Sequence, residues 1–78
     1  MFDYSKLRGL MAEKRTTQET LASELEISEN SFSRKMNGIS DFSSKEIAKI
    51  CNYLGISNTQ VGVYFFTPKV WKFKLIYE

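Results

Sequence analysis

The sequence predicts an all-α domain of five short helices with a helix-turn-helix at its centre. Three observations carry this reading. Apolar residues recur at three- and four-residue spacing through most of the chain. Hydroxyl or acidic residues stand just ahead of each apolar stripe, where helix N-caps belong. The second and third stripes are separated by so short a turn that their helices cannot lie antiparallel and must cross steeply.

Each element has its own signals. Asp3 is placed to cap a first helix carrying Tyr4, Leu7, Leu10 and Met11. Lys14 and Arg15 fall in its last turn, where cations suit the helix dipole. Thr17 caps a second helix whose apolar face is Leu21, Ala22 and Leu25, with Thr20 standing where a full capping box has Glu. Ser28 caps the third, with Ser31 at the acid position. Phe32 and Met36 are its stripe, and Asn37-Gly38 its stop signal. Within this central pair the small Ala22 allows close approach, Ile27 fills the space under the turn, and Phe32 anchors the third helix.

Ser43-Ser44-Lys45-Glu46 is a full capping box. It opens a fourth helix with Ile47, Ile50, Cys51 and Leu54 on its buried face and Gly55 at its end. Cys51 on that face reads as a small core residue. Ser57 or Asn58 caps a short fifth helix bearing Val61, Tyr64 and Phe65. Thr67-Pro68 closes it, because the residue before proline resists the helical region.

From Lys69 to Glu78 the period changes to two. Trp71, Phe73, Leu75 and Tyr77 alternate with Lys72, Lys74 and Ile76, the pattern of a β-strand or extended tail with one apolar face. A lone strand must pair with another copy, lie over the helices, or fray. The domain plan is therefore a helical domain over 1–68 and a tail over 69–78.

Composition narrows the function. The chain has 78 residues, 42% of them hydrophobic, with one cysteine and no histidine. Without histidine there is no Ser-His or Cys-His nucleophile, and one cysteine cannot build a zinc site of about four ligands. The glycines at 9, 38, 55 and 62 are isolated, so no phosphate-cradling loop exists. So small a domain has little room for a deep pocket. The expectation is a binding protein, not an enzyme, with no metal or cofactor. No apolar run reaches about 18 residues and the opening residues lack a signal-peptide pattern, so a cytoplasmic protein with no membrane contact is expected.

The residues carry a resemblance. Gln18-Glu19-Thr20-Leu21-Ala22, Leu25-Glu26-Ile27-Ser28 and Phe32-Ser33-Arg34-Lys35-Met36-Asn37-Gly38 resemble the helix-turn-helix of Cro/cI-type, lambda-repressor-like phage regulators. The likeness covers about residues 4–66. The blocks Asp3 to Gly9 and Tyr64 to Val70 are similar to small proteins of temperate phages of Gram-positive bacteria, both Cro-like repressors and modulators that bind the lysogenic repressor. One residue departs from the pattern. Family members usually carry Gly where Glu26 stands, and Glu there would lose roughly 1 kcal/mol adopting a positive φ.

The resemblance implies that the third helix enters the major groove of operator DNA with its N-terminal residues against base edges. Carried over, the base-facing positions are Glu29, Asn30, Ser33 and Arg34. Arg forks onto guanine, Asn onto adenine, and Glu accepts from cytosine N4. Gln18, at the start of the second helix, is a candidate phosphate contact, as are Lys35, Asn37 and Ser43. The same residues would also make an ordinary solvated helix face, and the serines ordinary caps.

Charge divides the functional reading. Residues 16–38 hold Arg34 and Lys35 against Glu19, Glu24, Glu26 and Glu29, a net of −2. Few cations near the groove mean weak binding per monomer, since phosphate neutralisation supplies most non-specific affinity. One reading is a Cro-like repressor acting as a homodimer on double-stranded operator DNA in the lysis–lysogeny switch. It would pair through the Trp71–Tyr77 segment, which could equally pack on the domain, or the Tyr64-Phe65-Phe66 end of the fifth helix, where Tyr64 and Phe65 read more readily as intrachain core. The alternative is an antirepressor or modulator whose acidic helix 2–helix 3 surface meets the basic face of a phage repressor. A tight hetero-complex with an unrelated protein is a third.

Overall fold

A computed structural model describes residues 2–69, and the alternating 71–77 segment lies outside the described residues. The described chain is helical: α1 (Ser5–Glu13), α2 (Gln18–Leu25), α3 (Glu29–Met36), α4 (Ser44–Leu54) and α5 (Val61–Phe65), the last entered through a 3-10 turn at Asn58–Gln60. This is the expected all-α, five-helix architecture. Among the described residues there is no strand beyond a single antiparallel bridge between Phe2 and Pro68.

The starts of α2, α3 and α4 follow the hydroxyl signals, whereas α5 starts after Gln60 with no side-chain cap, and neither Ser57 nor Asn58 caps it. The side chains of Thr17, Ser28 and Ser43 accept from the backbone N–H groups of Thr20, Ser31 and Glu46. Where Thr20 and Ser31 replace the usual acid, their hydroxyls close the turn onto the cap at 3.0 Å in both cases. The full box is made only at α4, where Glu46 reaches back to the Ser43 N–H at 2.8 Å. The start of α1 corrects the sequence reading. Tyr4 occupies the N-cap position and Asp3 caps from one residue earlier, its carboxylate accepting from the Ser5 N–H at 2.9 Å.

The helix ends share one device. After α1, α2, α3 and α4 a residue turns left-handed: Arg15, Glu26, Gly38 and Gly55. In each case the N–H one residue further on donates five residues back, as Thr16 to Met11, Ile27 to Ala22, Ile39 to Arg34 and Ile56 to Cys51. This also corrects the expectation for Lys14 and Arg15. They lie past the end of α1, not in its last turn, and Arg15 takes the left-handed position at φ 54°. Glu26 does what its place in the turn requires, at φ 60° and ψ 40°.

These ends fold the apolar stripes into one core: Tyr4, Leu7, Met11, Leu21, Ala22, Leu25, Phe32, Met36, Ile50, Leu54, Ile56 and Phe65. Helix α2 packs on α3 and α4, and α1 on α5. Phe65 is buried, with Tyr64 and Ile27 half-buried against the cluster. The loop between α3 and α4 contributes a residue the sequence reading passed over. The Phe42 ring lies 5.5 Å from Tyr4 and 5.7 Å from both Phe32 and Phe65, edge-on in each pair. One loop aromatic thus joins α1, α3 and α5.

Among the described residues no helix is long and apolar enough to cross a membrane.

Candidate nucleic-acid or protein interface

The candidate site is the outer side of the α2–turn–α3 corner. Three residues separate the helices, and the turn is held by Glu26 N–H to Ser23 carbonyl at 3.1 Å and Ile27 N–H to Ala22 carbonyl at 3.0 Å. Buried Leu21, Ala22 and Leu25 on one side and Phe32 and Met36 on the other fix α3 by its inner face. Of its other residues, Glu29, Asn30 and Arg34 are exposed, while Ser31, Ser33 and Lys35 are half-buried.

The structure separates the eight expected contact residues into two groups. Glu29, Asn30 and Arg34 are exposed on α3, and among the described residues the Arg34 guanidinium has no hydrogen-bond or ion-pair partner. Gln18 stands half-buried in the first turn of α2. These four form the outward group, with Ser33 half-buried at its edge.

The others are engaged in the fold. Lys35 is only 17% exposed, and its ammonium lies 3.2 Å from the Glu46 carboxylate and 2.9 Å from the Asp41 carbonyl. The Ser43 hydroxyl is the α4 cap. Asn37 accepts from Arg8 Nη2 at 3.0 Å through Oδ1, and its Nδ2 donates to Ser33 Oγ at 3.5 Å. Arg8 also donates to the Met36 carbonyl at 3.3 Å, so a cation from α1 closes the C-terminal end of α3. The sequence reading did not foresee this link. Arg8 sits on the polar side of α1, and nothing local marks which distant helix end its side chain reaches.

Electrostatics sharpen the charge imbalance. Burial pushes the Glu46 carboxyl up, but the Ser43 N–H and the Lys35 ammonium outweigh it and hold the group below its ordinary value. The Lys35 charge is thus paired within the fold. The exposed charge of residues 16–38 is Arg34 against Glu19, Glu24, Glu26 and Glu29. Glu26 has Lys49 at 3.8 Å, but that pair is solvent-exposed and contributes little.

On its other side α4 borders a shallow groove of about 380 Å³ lined by Ser44, Ile47, Cys51, Ile56 and Val61 among others. Burial pushes the Cys51 thiol up, the behaviour of a packing residue and not of a reactive one.

A family model described as a protein of unknown function, DUF739, matches residues 1–68. No curated protein matches the sequence.

Proposed function

We propose, for a chain that belongs to the DUF739 family, that it is a transcription regulator of the Cro/cI helix-turn-helix type. Its α3 reads double-stranded operator DNA to control a phage lysis–lysogeny switch. The observation that carries this is the free face of α3. Glu29, Asn30 and Arg34 stand exposed on a helix whose inner face is fixed by Phe32 and Met36. Arg, Asn and Glu in that order can address guanine, adenine and cytosine edges in a major groove. Gln18 and the α2 N-terminus supply one phosphate contact. With so few free cations a single copy binds weakly. Two copies would place their α3 helices in successive grooves about 34 Å apart. The 69–78 tail is the candidate dimer element.

A second reading is favoured by one observation, the pairing of the half-buried Lys35 with Glu46. Four exposed carboxylates facing one exposed guanidinium suit the basic, DNA-reading face of a phage repressor. In that role the protein is an antirepressor or modulator.

Titration onto operator DNA from its own locus, with and without the cognate repressor at two salt concentrations, tests both. A Cro-like protein shifts DNA alone, with affinity falling steeply with salt. Arg34→Ala then loses about 1–3 kcal/mol of base discrimination. A modulator leaves DNA alone and changes the repressor's binding, and Glu29→Lys weakens that contact. A protein that does neither at micromolar concentration overturns both readings.

A further inference from the structure

We propose that Arg8, on α1, is a positioning residue for the α3 face: it locks the C-terminal turn of α3 and, through Asn37, holds Ser33. The inference rests on the DNA-reading proposal for its functional consequence, while the lock itself is a property of the free protein.

The backbone bonds at the end of α3 leave one carbonyl open to a side chain. Beyond the helix, the N–H groups of Asn37, Gly38 and Ile39 donate to Ser33, Lys35 and Arg34, and Ser40 donates again to Arg34. None of them reaches the Met36 carbonyl. Arg8 Nη2 takes it, at 3.3 Å, and the same nitrogen donates to Asn37 Oδ1 at 3.0 Å. Asn37 then uses its amide donor on Ser33 Oγ. A chain of three polar side chains therefore runs from α1 to a residue at the edge of the candidate reading face. Arg8 is 28 residues from Met36 in sequence, so the contact is a tertiary one and sets where α3 lies relative to α1.

Arginine suits this task better than lysine. Its planar fork presents several N–H groups in fixed directions, and its charge at the α3 C-terminus complements the helix dipole. A lysine keeps the charge but is a single flexible ammonium. Asn37, a candidate phosphate contact from sequence, has the role of relay.

The competing role for Arg8 is direct phosphate contact, and the two differ in what they change. The probe is a duplex selected from a random-sequence pool by the wild-type full chain, alongside the same duplex with one base pair changed. Arg8→Lys is expected to lower the ratio of binding between the two duplexes by roughly tenfold, the size of one good base contact. The salt dependence should be unchanged, since the charge is kept. In the free protein, amide exchange at Ile39 and Ser40 should rise, while amides in α2 stay protected. Asn37→Ala should reproduce the loss of discrimination. An unchanged ratio in Arg8→Lys overturns the proposal. So does a uniform loss on both duplexes in Arg8→Ala with the salt slope reduced by about one, the mark of a lost phosphate contact. Should the wild type select no duplex, the DNA reading falls, and the exchange pattern alone decides whether Arg8 holds α3.

Discussion

Phe42 and Phe65 meet edge-on with ring centroids 5.7 Å apart, bringing a loop residue against the last helix. The same Phe42 ring touches Tyr4 and Phe32, so it ties the start of α1, α3 and α5 together and adds to the packing of α1 on α5. The ring is half-buried, so removing it strips packing from all three and leaves part of the gap open to solvent. Phe42→Ala is expected to cost about 2–3 kcal/mol, at or below the low end for a fully buried Phe, a large share of the about 3–5 kcal/mol that a core this small supplies. Circular dichroism should show a clearly lowered melting temperature, with Phe42→Leu losing less. A folded Phe42→Ala protein with an unchanged melting temperature would contradict the shared-ring account.

Glu26 stands at φ 60°, in the left-handed region that a side chain with a Cβ reaches at a cost of about 1–2 kcal/mol. Its contact to Lys49 is exposed and offsets little of that. Glu26→Gly should therefore stabilise the domain by roughly 1 kcal/mol, raising the melting temperature by about 4–8 °C for a chain of this size. Glu26→Ala keeps the Cβ and should give no such gain. A Gly variant that melts at or below the wild-type temperature would remove the strain argument.

Gly9 lies inside α1 on its exposed side, with open space where a Cβ would be. Gly9→Ala should add about 0.5–1 kcal/mol by lowering the entropy lost on folding. A denaturation midpoint that moves downward would instead indicate that the α1 surface at Gly9 is needed bare.

Much of this was legible in the residues, and for local reasons. Caps and stops act within a few residues, so Thr17, Ser28, Ser43, Gly38 and Gly55 mark their helix ends directly. The misread end of α1 has the same origin in reverse. Arg15 occupies a left-handed position that favours glycine, so the usual signal is missing and the helix looks longer than it is. Phe42 was readable in principle. It directly precedes the Ser43 cap, where an apolar residue often staples back onto the fourth helical position, here Ile47. The candidate site was less legible, because its long-range bonds have no local signature. Lys35 and Asn37 look like free surface groups until α4 brings Glu46 and α1 brings Arg8 against them.

The Lys35–Glu46 pair links stability to the candidate function, and one substitution tests both sides. Glu46 titrates below its ordinary value of about 4.5, so the folded state favours its charged form. The stability it contributes is fully present above that ordinary value and is lost as pH falls through the lowered one. Glu46→Gln retains a side chain able to close the capping box but removes the charge facing Lys35. At pH 7 it should cost about 1–2 kcal/mol, and the variant should lose less stability than wild type between neutral pH and about pH 3. At the same time it returns one positive charge to the α3 side of the domain. If that side meets DNA, duplex affinity at low salt should rise despite the lower stability, with a salt dependence steeper by up to about one counterion. If it meets the basic face of a repressor, the same substitution should weaken that complex. Denaturant titration at the two pH values, with binding measured at two salt concentrations, reads both effects on one variant. Equal acid sensitivity in the two proteins would exclude Glu46 as a source of the pH dependence, and duplex affinity that falls with Glu46→Gln would count against the α3 side as a DNA-facing surface.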